Sequence, residues 1–161
     1  MRARALCLIT LTCLAWVLAG CDLLRQSTSN QLLAQVAQEE QKWLEKDIDS
    51  YRIVVLHVSS VWHAQTHEIT VRAGEVVDQS ASCIPAPTEN GKCEVQPFDV
   101  EEYTVPALFG LARSLAQFDD GNWTEIEFDP TYGYPTGISY DHPDILDEDS
   151  YWGVRSFEIL D

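Results

Sequence analysis

Basic side chains are scarce in this chain of 161 residues: ten Lys and Arg stand against twenty-six Asp and Glu, a formal charge of −16. Neutralising a phosphate backbone takes clustered Lys and Arg, so nucleic acid is excluded as a partner. Catalytic signatures are missing too. There is no Gly-x-Ser-x-Gly elbow, no His-Glu-x-x-His pair and no glycine-rich phosphate loop. Cysteine is sparse, five in all, and none falls in the Cys-x-x-Cys spacing of a redox pair. None of these patterns implies a cofactor. The longest apolar stretch, Ala5 to Leu18, is shorter than the roughly 20 residues a bilayer span needs.

What is there begins with that stretch. Arg2 and Arg4 precede it, and Leu18-Ala19-Gly20-Cys21 closes it. Small residues before such a cysteine read as a bacterial lipoprotein signal, whose cysteine thiol takes a diacylglyceryl group before cleavage. The expectation is a cleaved signal over residues 1–20, a lipidated Cys21 with a polar tether to residue 30, and one domain over 31–161. Such a chain is held at the membrane by its acyl groups, outside the cytoplasm. Without Arg2 and Arg4 it carries 10 − 2 = 8 basic residues against 26 acidic, a charge of −18.

Cysteine arithmetic points to the same compartment. Cys7 and Cys13 leave with the signal and Cys21 takes lipid, so Cys83 and Cys93 remain as an even pair. A disulfide between them closes a loop rich in Pro, Asn and Gly that has little apolar mass of its own. In the chain-entropy model that is worth about 3 kcal/mol.

Apolar residues make up 45% of the chain and include five tryptophans, enough for a real core. Gln31 to Ile48 shows helical spacing through Leu33, Val36, Ala37, Trp43, Leu44 and Ile48. Tyr51 to Trp62 reads as a strand apolar on both faces, suited to the middle of a sheet. Glu68 to Arg72 and Glu75 to Ser82 follow as strands around an Ala73-Gly74 turn. Thr104 caps a second helix to Phe118, with Pro106 tolerated in its first turn and Val105, Leu108, Phe109, Ala112 and Leu115 as its buried stripe. Trp123 to Phe128, Thr136 to Asp141 and Trp152 to Leu160 complete the strands, the last with its alternation broken near Ser156, as at a bulge. The order αβββαβββ implies an α+β fold: a two-layer sandwich of an antiparallel sheet of five to six strands with two helices on one face.

Several of these stretches look familiar together. Tyr51-Arg52 follows a helix bearing Trp43. Val71 to Val77 carries a central glycine. Asp129-Pro130-Thr131-Tyr132-Gly133-Tyr134-Pro135-Thr136 is followed by Ile138, Tyr140, Asp141 and the run Leu146 to Asp149. Over roughly Gln38 to Leu160 the chain resembles an uncharacterised bacterial lipoprotein family, domain of unknown function 6174. Many members have a closely spaced cysteine pair near the end of the first strand; here Ser59, Ser60 and Trp62 stand there instead. The resemblance implies fold and location, and no activity.

Three groups of side chains are candidates for chemistry. His57, His63 and His67 cluster at the first hairpin, where a continuous strand brings only His63 and His67 close together. Asp141, His142, Asp144, Asp147, Glu148 and Asp149 concentrate carboxylates in one loop. That loop lacks the EF-hand spacing, so a solvated acidic surface is favoured over a cation site. Tyr132 and Tyr134 are either anchors for a partner or cover for one end of the core, with packing favoured. The expected function is a lipid-anchored envelope domain that binds an envelope protein or ligand without catalysis, in an oligomeric state left open. The alternative is a metal-dependent hydrolase or cation-binding protein built on the Asp141–Asp149 loop.

Overall fold

The computed structural model describes residues 29–60, 63–85, 93–118, 123–141 and 150–161. Helix α1 covers residues 29–44 and α2 Val105–Phe118. The strands are β1 (Tyr51–Ser60), β2 (His63–Arg72), β3 (Glu75–Ile84), β4 (Thr124–Phe128), β5 (Pro135–Tyr140) and β6 (Ser150–Ile159). They form one antiparallel sheet in the order β3-β2-β1-β6-β5-β4. Two three-strand meanders are thus joined through β1 and β6, and the expected α+β sandwich is what the chain adopts.

β1 lies inside the sheet because its apolar residues serve both faces. Tyr51, Ile53 and Val55 point into the core, while Leu56 is also buried. β6 meets this alternation only by skipping a residue. Val54 faces Ser156 and Val55 faces Val154, so Arg155 is extruded as a bulge and stays exposed. Trp152, Val154 and Phe157 all pack on the core as a result. On the other face, Arg52 bridges Glu68 and Glu158 from the two neighbouring strands.

The helices close the core from one side. Thr104 caps α2 through its hydroxyl, which accepts from the Ala107 amide at 3.4 Å, and its carbonyl takes the Leu108 amide at 2.9 Å. The Val105 amide, otherwise one of the unpaired donors of a helix start, donates to the Tyr51 phenol oxygen at 3.1 Å. Val105, Leu108, Phe109 and Ala112 are buried as the stripe predicts, with Ala116 added. α1 departs more from expectation. Ser29 and Asn30, expected before the helix, are already helical, and the helix stops at Leu44 rather than Ile48. Asp47 then takes φ 52°, the left-handed exit of a helix end. Only Val36 and Trp43 of the expected stripe are fully buried; Ala37 is exposed and Leu44 is 62% exposed. A helix held by two contact residues needs other ties. Ser29 Oγ donates to the Ala116 carbonyl, and Arg113 pairs with Glu40 across the helix junction.

The main tie is the loop between β4 and β5. Asp129 accepts from the Thr131 and Tyr132 amides through one carboxylate oxygen, at 2.8 and 2.7 Å, and its backbone brackets the loop. The loop then presents the Pro130 carbonyl to Lys42 Nζ of α1 at 2.8 Å. Gly133 sits at φ 85°, and a Cβ there would lie 2.6 Å from the Glu39 carbonyl oxygen of α1. Glycine lets the loop touch the helix backbone.

Gly133→Ala should therefore destabilise the protein by at least about 2 kcal/mol, from a strained φ plus a backbone clash. Gly74→Ala, at φ 79° with open space around it, should cost only about 1 kcal/mol. Urea melts of both variants check this; equal losses would show that the approach to α1 does not matter.

Candidate functional site

The most unusual polar cluster lies under the sheet where β1, β2 and β6 meet a short 3-10 helix, Val100–Tyr103. That helix was not legible as an element. Asp99 caps it, accepting from the Glu101 amide at 3.1 Å, and it delivers Tyr103 into the core.

Register decides which histidines meet. Val55 faces His67 and His57 faces Gln65, so His57 and His67 are diagonal neighbours on the inner face. Their rings are 6.5 Å apart. This corrects the expectation that His63 and His67 form the close pair: β2 begins at His63, five residues earlier than its apolar alternation suggested. Tyr103 stands between the two. Its hydroxyl is 2.9 Å from His57 Nδ1, and its ring stacks on His67 at 3.6 Å. His57 stacks in turn on Trp152 at 4.6 Å, and Phe98 meets His67 edge-on at 4.5 Å.

Gln65 fixes the far side. Its amide pairs with the backbone of Gln96, donating to the carbonyl at 3.2 Å and accepting from the N–H at 2.8 Å. Its nitrogen also lies 3.5 Å from His67 Nε2. With that amide as donor, Nε2 is the acceptor and the proton resides on Nδ1, which is buried and has no hydrogen-bond partner among the described residues. His67 is fully buried, and burial first, then the neighbouring His57 and His63, pushes its pKa down to about 4. His57 is lowered in the same way, mainly by burial. Burial, with Glu102 nearby, raises Tyr103 to about 12. Near pH 7 the cluster is therefore uncharged, with rings filling the space around it.

The other candidates separate. Cys83 and Cys93 are joined as a disulfide, with Cα atoms 5.9 Å apart, which ties the end of β3 to the chain leading into the 3-10 helix. Tyr134 is 7% exposed and packs at 4.4 Å on Phe157 and edge-on to Trp43 at 6.1 Å, so it is a core residue and no surface anchor. Tyr132 is half-buried, 6.0 Å from Phe157. Asp141 is exposed, its amide donating to the Trp123 carbonyl at 3.0 Å. Cys21 and, from the acidic loop, His142, Asp144, Asp147, Glu148 and Asp149 lie outside the described residues. Among the described residues, no three His, Cys, Asp or Glu come together as a metal group.

Sequence reading missed Gln65, Phe98, Tyr103 and Trp152 as parts of one cluster. A signal for Gln65 and His67 was present: they continue the period-two row of Ile69 and Val71 backward along β2. Two polar side chains on a buried face concealed it.

The cluster makes a pH prediction. An unfolded histidine takes up its proton near pH 6.5, whereas folded His67 resists to about 4. The stability it contributes is complete above pH 6.5 and is lost as pH falls toward 4, by about 3 kcal/mol. His67→Phe keeps a ring on Tyr103 and removes the titration. The difference in unfolding free energy between the two proteins should change by about that amount between pH 7 and 4. A constant difference would show that His67 is not held neutral.

No curated protein and no solved structure matches the chain. One family model does, covering residues 35–159, and its description is a family of unknown function (DUF6174). Of the residues carrying the earlier resemblance, Trp43, Tyr51 and Tyr134 sit in the core and Gly133 against α1. They are structural in position, and by them and by the extent of the match the chain belongs to DUF6174.

Proposed function

We propose that the protein is a lipid-anchored domain of the cell envelope, facing outside the cytoplasm, that works by binding rather than by catalysis. The observation that carries this is the Cys83–Cys93 bridge, read with the Leu18-Ala19-Gly20-Cys21 sequence. Structural disulfides persist in oxidising compartments. A cysteine after small residues at the end of an apolar run supplies a route to that compartment and an anchor within it. The two acyl chains of a diacylglyceryl group meet the requirement for stable anchoring, which a single chain does not. The uncharged, ring-filled histidine cluster supports the non-catalytic side of the reading, because its imidazoles are consumed by packing.

Mass spectrometry of protein extracted from membranes should find an N-terminal peptide that begins at Cys21 and carries two or three acyl chains. Non-reducing peptide maps of the same material should find Cys83 and Cys93 bridged. A water-soluble protein that retains Met1, or two freely alkylated thiols, would contradict the proposal.

A further inference from the structure

The sheet has two edges, and they differ. β4 is five residues long with Glu125 and Glu127 outward; β3 is ten residues long and mostly exposed, Val77 to 56%. β3 ends the strand order, and among the described residues no strand pairs with its outer side. Such an edge presents backbone N–H and C=O groups for pairing, apart from the Gln79 amide, which donates to Asp78 Oδ1 at 3.0 Å, and the irregular register around Val77. Beside it runs a trough of about 1040 Å³, between the first half of β3 and the 3-10 helix with the start of α2. A second hollow of about 620 Å³ shares Gln79, Val100 and Glu102 with the first, so the trough follows the strand.

The charge of the trough has one sign. Glu75, Asp78, Glu101 and Glu102 line it, Asp99 continues the row, and no Lys, Arg or His is among the lining residues. We propose that this trough receives an extended peptide with basic side chains at alternate positions, added to β3 as a seventh strand. Strand addition satisfies the free backbone groups, and side chains two residues apart, about 6.6 Å, fall on one face, where those turned toward the 3-10 helix meet Glu101 and Glu102. The same charges reject the obvious competitor. A second copy of this chain would bring its own Glu75 and Asp78 to the edge, on a protein of charge −16.

The inference rests on the binding role proposed above and names the chemistry of the partner. Its test uses the full lipidated chain in detergent, at about 0.15 M salt, where loose electrostatic attraction is screened over roughly 8 Å. The probe is a labelled peptide alternating lysine and valine. It is compared with a peptide of the same composition in two blocks, one with alternate backbone amides N-methylated, and one alternating glutamate and valine. Binding is read by anisotropy and by hydrogen exchange of the β3 amides.

The alternating basic peptide should bind and slow exchange in residues 75–79. The block, N-methylated and acidic peptides should bind at least tenfold more weakly. The double variant Glu101→Gln, Glu102→Gln should weaken the alternating peptide about tenfold. Four results overturn the proposal: no binding, equal binding of alternating and block peptides, binding that leaves β3 exchange unchanged, or protection of β3 by self-association. The N-terminal mass of the same preparation reports the anchor. Failed binding by a lipidated protein refutes the trough alone, and missing lipid refutes the anchor alone.

Discussion

The pairing of β1 with β6 is the constraint on which the rest of the structure depends. Each meander taken alone is a small sheet with one apolar face, and three strands are close to the minimum that can stand in water. Joining them at β1 and β6 creates one face wide enough for both helices. The joint is sealed by rings. Phe157 of β6 lies 5.5 Å from Tyr51, 5.8 Å from Trp43 and 4.4 Å from Tyr134, so one residue collects β1, α1 and the β4–β5 loop. The Arg155 bulge is what turns Phe157 inward, and the Tyr51 hydroxyl carries the joint on to the start of α2.

Outward from this joint each element is held by its own set of contacts. α1 is held by its buried Val36 and Trp43, by the close approach of Gly133 and by the Lys42 bond to the Pro130 carbonyl. Among the described residues, the segment from Cys93 to Tyr103 is tied by the Gln65 amide on Gln96, the disulfide, the stack of Tyr103 on His67, the Tyr103 hydroxyl at His57 Nδ1 and the edge of Phe98 on His67. That segment forms one wall of the trough beside β3. The histidine cluster thus acts on the trough as support: neutral rings hold the 3-10 helix that sets out Glu101 and Glu102.

Much of this was legible in the chain. β4 alternates with Thr124, Ile126 and Phe128 inward because its outward residues are two glutamates, an unambiguous contrast. The cap at Thr104, the stripe of α2 and the bulge near Ser156 were readable for the same reason: local chemistry and packing agree there. Where they disagree, the reading failed. Leu44 is apolar and in phase with a helix face, yet it is the last helical residue and stays exposed. Gln65 and His67 are polar and buried, so β2 looked half its length. The meeting of His57 with His67 depends on a hairpin register that periodicity does not specify. Tyr103 reaches the cluster through a four-residue 3-10 helix with no repeat to betray it.

The account makes one central claim about the architecture: a sheet locked at its β1–β6 joint and, among the described residues, open at β3. Native-state hydrogen exchange on the protein, followed residue by residue in increasing denaturant, tests it most directly. Amides shared between β1 and β6 should exchange only with global unfolding, whereas the outward amides of β3 should exchange orders of magnitude faster, without denaturant dependence. Outward β3 amides as protected as those of β1 would contradict the account.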